Sequence, residues 1–338
     1  MTSLEDMSAE ARSGGPLAQR AAARLMTIMT DQPQRLAELL AGSRDWPQPR
    51  LVLGITGAPG SGKSTLTDRI ATEVRRRRPD SRLGILAVDP SSPFTGGALL
   101  GDRVRMMRHA TDPQVFIRSL ASRGRLGGLA LGAKGVVRVM GLIGCETVIV
   151  ETVGVGQSEV EIAGNADLVL VVLAPGQGDT VQMLKAGLME AGELFVVNKA
   201  DRPDAERLHQ QLLTALETSY FARHDLSFGA DEKMDCNEVL TDPPKVLLCS
   251  AAEDQGIAEL VDELERLAEL NAERWLARRE EQAVEEVRQA VIEEVRLRVL
   301  HAVGDNNGGP ARLRGVLAGS ESLDTLVDNV LVELAAPN

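Results

Sequence analysis

Nine residues, Gly57-Ala58-Pro59-Gly60-Ser61-Gly62-Lys63-Ser64-Thr65, carry the spacing of a phosphate-binding loop, G-x-x-x-x-G-K-[ST]. Glycines at these positions let consecutive backbone N–H groups curl around a polyphosphate at the start of a helix. Lys63 is placed to reach the β- and γ-phosphates, and the Ser64 hydroxyl to ligate Mg²⁺. A second pattern, Asn198-Lys199-Ala200-Asp201, is the N-K-x-D of guanine-reading sites. A carboxylate at Asp201 accepts from both N1–H and the 2-amino group of guanine, whereas adenine offers an acceptor at N1 and nothing at C2. Sites built on such hydrogen bonds discriminate strongly, because the wrong base leaves buried groups unpaired. Downstream, Ser250-Ala251-Ala252 closes a third apolar run, where a backbone N–H commonly meets guanine O6. The three together favour GTP over ATP.

Two further stretches supply carboxylates. Val150-Glu151-Thr152-Val153-Gly154 ends an apolar run in E-x-x-G, with Glu151 placed to hold Mg²⁺ directly or through water and Gly154 to meet the γ-phosphate. Asp89, before Pro90, and Asp102, before Arg103-Val104-Arg105, are additional candidates for the metal shell. Each has a plainer reading: Asp89 as a turn residue, Asp102 as a helix cap. Val155 stands directly after Gly154, where a water-orienting glutamine would sit, and Gln157 lies three positions beyond Gly154. Slow intrinsic hydrolysis follows, with Gln157 as the nearby candidate.

The elements that must position these groups are legible as short apolar runs at 51–55, 83–88, 115–118, 147–151, 168–173, 194–197 and 245–249, mostly separated by helical segments. Leu66, Ile70 and Val74 follow the phosphate loop at helical spacing. Runs without polar alternation indicate strands buried on both faces. The expected fold class is therefore α/β, a P-loop NTPase with a mostly parallel sheet flanked by helices, plus N- and C-terminal helical extensions. The expected divisions are 1–48 for the N-terminal extension, 49–265 for the GTPase domain and 266–338 for the C-terminal helices. Residues 1–15 read as frayed, and 16–40 as two helices broken near Gln32-Pro33. Residues 222–244 read as a polar surface excursion, and 304–310 as a loop.

Composition excludes other classes. With 338 residues, a net charge of −12 and 2% aromatics, the chain lacks both the basic surface and the stacking platforms of a nucleic-acid binder. Cys145, Cys236 and Cys249 have no paired spacing, and His109, His209, His224 and His301 form no metal-binding pair. The N-terminus has no signal-peptide character and the longest apolar run is too short to span a bilayer, so a cytoplasmic protein is expected. Arg103, Arg105, Arg108, Arg118, Arg123 and Arg125 form a basic cluster, suited to a finger or an acidic partner but equally to solvated surface.

The run from 51 to 201 resembles the MeaB/ArgK family of P-loop GTPases, accessory G proteins of adenosylcobalamin-dependent acyl-CoA mutases. The phosphate loop, V-D-P-S-S-P-F-T-G-G-A-L-L-G-D-R-V-R-M, F-I-R-S-L-A-S-R-G-R-L-G-G-L, V-E-T-V-G-V-G-Q-S-E and N-K-A-D carry the likeness. It is close over the middle half of the chain and loose at its ends. The resemblance implies a chaperone that binds the mutase and uses GTP to gate adenosylcobalamin delivery and protection. Methylmalonyl-CoA mutase is the default partner, and an isobutyryl- or hydroxyisobutyryl-type mutase the runner-up. It also implies a C-terminal dimerisation arm, hence a homodimer, and a partner-sensing loop at 175–185 with Asp179 and Lys185 singled out. The competing readings are an ATP-dependent small-substrate kinase, a metal-insertion GTPase, and an interaction protein whose nucleotide site is purely structural. Asn198 and Asp201 oppose the first, the lack of clustered Cys or His ligands the second, and the intact Lys63, Ser64 and Glu151 the third.

Overall fold

The computed structural model describes residues 3–14, 16–31, 42–43, 45–89, 107–109, 111–121, 126–152, 166–176, 192–227, 243–303, 313–314, 316–320 and 322–335. Seven parallel strands form one sheet in the order β3-β2-β4-β1-β5-β6-β7. They are β1 (Leu51–Thr56), β2 (Arg82–Asp89), β3 (Val115–Ala121), β4 (Cys145–Thr152), β5 (Leu168–Leu173), β6 (Leu194–Val197) and β7 (Lys245–Leu248). The expected α/β architecture is borne out, and each apolar run became a strand. β1 and β5 are buried along their whole length, as strands covered on both faces must be.

Alternation sorts the core into two sides. On β1, Leu51, Leu53 and Ile55 pack under helices α3 (Lys63–Arg77) and α6 (Ile257–Leu270), whereas Val52 faces the opposite layer. That layer holds α1 (Leu4–Arg12), α2 (Pro16–Asp31) and α4 (Leu126–Leu142) against β2 and β4. Helix α5 (Ala205–Ser227) covers β5, β6 and β7. Each fully buried Leu or Ile contributes about 1.5–3 kcal/mol. The topology reverses at β1, between β4 and β5. The carboxyl ends of β1, β4, β6 and β7 therefore lie on one edge, where ligands bind in open α/β sheets.

Two expectations need correction. The N-terminus is not frayed. Ser3 caps α1 through a reciprocal capping box with Asp6, and Leu4, Met7 and Ala11 are buried against the rest of the layer. Residues 222–227 of the expected polar excursion belong to α5, which continues to Ser227, and 228–242 lie outside the described residues. The stretch after the third strand holds helix α4, in which Gly135 serves packing. A Cβ on Gly135 would lie 2.7 Å from Met29 Sδ, so α2 and α4 cross too closely for a larger residue.

The chain continues into α7 (Ala272–Ala302) and α8 (Leu323–Ala335). The start of α7 is part of the core. Trp275 is buried with the α3–α6 layer, and Arg279 forms a double ion pair with the buried Asp167 at the entrance of β5. Asp167 also accepts the Val52 N–H at 2.6 Å, so one carboxylate ties α7, β1 and β5 together. Farther along, Val284, Val287, Val291 and Val295 are exposed. Among the described residues, no helix is long and apolar enough to cross a membrane.

Candidate functional site

The phosphate loop joins β1 to α3, and close packing dictates its glycines. Gly57 has φ +140°, and a Cβ there would lie 2.1 Å from the Val172 carbonyl oxygen of β5. Gly60 and Gly62 take φ of +77° and +92°, the left-handed region that glycine adopts without strain. Gly62 caps α3, whose first-turn N–H groups have no carbonyl within the helix to meet and so face the loop. The result is an anion cradle at a helix N-terminus.

Lys63 is buried, and its Nζ donates to the carbonyls of Gly57 at 2.6 Å and Ala58 at 3.0 Å. The ammonium thus sits inside the curve of its own loop. The Ser64 hydroxyl donates to Glu151 Oε1 at 2.5 Å, and Glu151 is buried at the carboxyl end of β4, in register with Ile55. A hydroxyl and a carboxylate meeting at the mouth of the cradle are two hard oxygen donors, a set that fits Mg²⁺. Asp89 closes β2 beside β4, while its side chain lies outside the described residues, as do Asp102, Gly154, Gln157, Asp179 and Lys185.

The base-reading candidates are laced to this loop. Asn198, buried, donates from Nδ2 to the Ser61 carbonyl at 2.9 Å and accepts at Oδ1 from the Ala251 N–H at 3.0 Å. A Cβ on Gly62 would lie 2.4 Å from Asn198 Nδ2, so the last glycine of the loop also makes room for the asparagine. Lys199, with φ +62°, donates from Nζ to the Gly60 carbonyl at 2.7 Å. Asp201 is exposed, and its Oδ1 accepts from the Ser250 hydroxyl at 2.6 Å. That bond holds the Asp201 carboxyl below its ordinary pKa, so it is ionised and acceptor-only at neutral pH. Ala252 is exposed beside it, and Pro59 and Thr65 lie on the outer surface of the loop.

Two cysteines frame the sheet without chemistry. Burial pushes the Cys145 and Cys249 thiols up to about 12. Both remain protonated and unreactive at neutral pH. Of the arginine cluster, Arg118 donates to Thr27 Oγ1 of α2 at 3.0 Å, and Arg108 is exposed, 3.8 Å from Asp68. Arg103, Arg105, Arg123 and Arg125 lie outside the described residues.

Sequence reasoning did not single out Arg69. This residue of α3 donates from Nε to the Ala251 carbonyl at 3.0 Å, across 182 positions of chain. It named His109 only as an unpaired histidine, whereas this residue is buried with its Nε2 3.3 Å from Asp68 Oδ1 on the same helix. Neither sits in a motif, and neither has a partner nearby in sequence.

Comparison with known proteins places this geometry. Residues 23–304 match the family described as methylmalonyl-CoA mutase-associated GTPase MeaB. A Pyrococcus abyssi protein bearing a GTPase name is 43% identical over 245 residues, covering 72% of this chain and 71% of that one. A mitochondrial methylmalonic aciduria type A homolog from Caenorhabditis elegans is 33% identical over 215 residues, covering 63% and 50% of the two chains. The crystal structure of a LAO/AO transport system kinase aligns over 98% of both chains with a TM-score of 0.60 and 27% identity.

Proposed function

The chain belongs to the methylmalonyl-CoA mutase-associated GTPase MeaB family, and from that premise we propose that it is a GTP-driven accessory protein of an adenosylcobalamin-dependent acyl-CoA mutase. In this reading it gates loading and protection of the mutase cofactor, with methylmalonyl-CoA mutase the first partner to test. The observation that carries the nucleotide half is the double role of Asn198. One side chain bonds both the phosphate loop and the Ser250-Ala251 segment, so a single rigid frame presents phosphate and base sites together.

The geometry supports a division of labour. Backbone donors of 57–65 cradle the phosphates. Lys63 exchanges the carbonyls of Gly57 and Ala58 for phosphate oxygens. Asp201 reads the Watson–Crick edge of guanine, held in orientation by Ser250. Ser64 and Glu151 would hold Mg²⁺, which supplies neutralisation of phosphate charge when bound. Gly154, Gln157 and Lys185 remain candidates for the hydrolytic step, and Asp89 and Asp102 for the metal shell, on the family's pattern.

The partner half rests on the family and on the exposed apolar stripe of α7. Val284, Val287, Val291 and Val295 recur at helical spacing on a helix anchored to the core at Trp275 and Arg279. That stripe suits a seam with a second copy of the chain, a homodimer. The test of the partner half is affinity for the mutase, by calorimetry with a non-hydrolysable GTP analogue and with GDP. Binding whose affinity changes with the nucleotide is expected. Absence of binding to methylmalonyl-CoA mutase and to the two alternative mutases, in both nucleotide states, would overturn it.

A further inference from the structure

Arg69 lies on α3, five residues beyond Ser64, on the helix that begins at the phosphate cradle. Its guanidinium leaves that helix and reaches the base-side loop. Nε donates to the Ala251 carbonyl at 3.0 Å, and Nη1 lies 3.7 Å from the Asp254 carboxylate. The Arg69 side chain is 23% exposed, so the bond is sheltered rather than a solvated surface contact.

The loop it grips is held in an uncommon conformation. Asp254 and Gly256 both have left-handed φ, +59° and +71°, and Ser250 and Gln255 exchange backbone hydrogen bonds across it. A Cβ on Gly256 would lie 2.3 Å from the Leu248 carbonyl oxygen. The two peptide units around Ala251 are each fixed by one side chain. Asn198 Oδ1 accepts the Ala251 N–H, and Arg69 Nε holds the Ala251 carbonyl. In a trans peptide the C=O and the following N–H point in opposite directions. By fixing the Ala251 carbonyl toward α3, Arg69 therefore sets the direction of the Ala252 N–H away from α3.

We propose that Arg69 is a positioning residue for base specificity: it aims the backbone donor of Ala252 at the 6-oxo group of guanine. It acts through the peptide it holds and does not itself touch the nucleotide. The inference rests on the assignment of 198–201 and 250–252 to base reading. It goes further in tying base discrimination to the helix that also carries Lys63 and Ser64, so phosphate and base sites share one support. A preorganised donor loses little on binding, while a loop free to rotate that peptide must order it at the expense of affinity.

The test compares GTP with 6-thio-GTP, which keeps N1–H and the 2-amino group but presents sulfur, a weak acceptor, in place of O6. Affinities are measured by calorimetry for the full chain, Arg69→Ala, Arg69→Lys and Asp201→Asn, with thermal unfolding of each. In the wild type, GTP should bind about tenfold more tightly than the thio analogue, the order of one good hydrogen bond. In Arg69→Ala that ratio should fall to within about twofold, through loss of GTP affinity, with Arg69→Lys between. A variant that weakens both nucleotides equally, or leaves the ratio at its wild-type value, overturns the role of Arg69. Should Arg69→Ala not fold, Arg69→Lys decides by the same ratio. Asp201→Asn separates the premise: if it leaves the preference for GTP over XTP unchanged, the base-site assignment itself fails, whatever Arg69 does.

Discussion

At the scale of single residues, the candidate site is a set of side chains that hold backbone in place. Asp201 is the proposed base-reading group, exposed and kept ionised by the Ser250 hydroxyl. Asp201→Asn should lower GTP affinity and raise that for XTP, since an amide donates to the C2 carbonyl of xanthine, and competition binding with both nucleotides checks it. Lys63 works differently. A phosphate-loop lysine reads from sequence as a surface residue whose loss spares the fold, yet here it is buried and donates to two loop carbonyls. Lys63→Ala should therefore abolish tight GTP binding and also cost about 1–2 kcal/mol of stability, measured by calorimetry and by chemical denaturation. The motif spacing made Lys63, Ser64, Asn198 and Asp201 legible because each lies in a short contiguous pattern. Arg69 and His109 were not, because their partners are brought by the fold from distant positions and no local pattern marks them.

At the scale of elements, apolar runs that became strands were readable because burial on both faces leaves no polar residue in them. Helices α1 and α4 were harder. The first is nine residues long and mostly polar, so its identity rests on the Ser3–Asp6 cap and three buried contacts. The second carries Gly135, which its close crossing with α2 requires. The division expected at 265 falls within α6, and the core continues through Trp275 and Arg279 of α7. Helix α3 is pinned to α6 by charge. Arg77 bonds Glu73, Asp262 and the Ala258 carbonyl, and Arg78 bonds Glu265. The Arg76 and Arg77 guanidiniums hold the Glu73 carboxyl down to about 2 from its ordinary 4.5. A depressed carboxylate stabilises the fold above its unfolded pKa, and that contribution is lost as pH falls from about 4.5 through about 2. Glu73→Gln should cost about 1 kcal/mol at pH 7, allowing for the exposure of Arg76. It should also flatten the acid limb of stability between those values, which denaturation at several pH values measures.

At the scale of the whole molecule, the nucleotide edge and the α7 stripe are joined by one continuous core. β1 carries the phosphate loop at one end, and its Val52 N–H meets Asp167, which pairs with Arg279 of α7. If α7 forms the seam between two copies, Val287→Asp or Val291→Asp should shift the assembly to monomer without lowering GTP affinity, as light scattering with nucleotide titration would show. The resemblance to family members made a candidate partner loop at 175–185 nameable from sequence, while the docking of α7 onto the core depends on contacts more than 100 residues apart that no local pattern carries. In the proposed function the nucleotide cycle answers to a mutase. With Val155 in place of a water-orienting glutamine after Gly154, basal hydrolysis should be slow. The most direct measurement is single-turnover GTP hydrolysis with and without adenosylcobalamin-dependent mutase, for wild type and Lys185→Ala. A rise of about 10- to 100-fold is expected on adding the mutase, about 1.4–2.7 kcal/mol of barrier, lost for the most part in Lys185→Ala with basal turnover retained. A rate that no candidate mutase changes would contradict it.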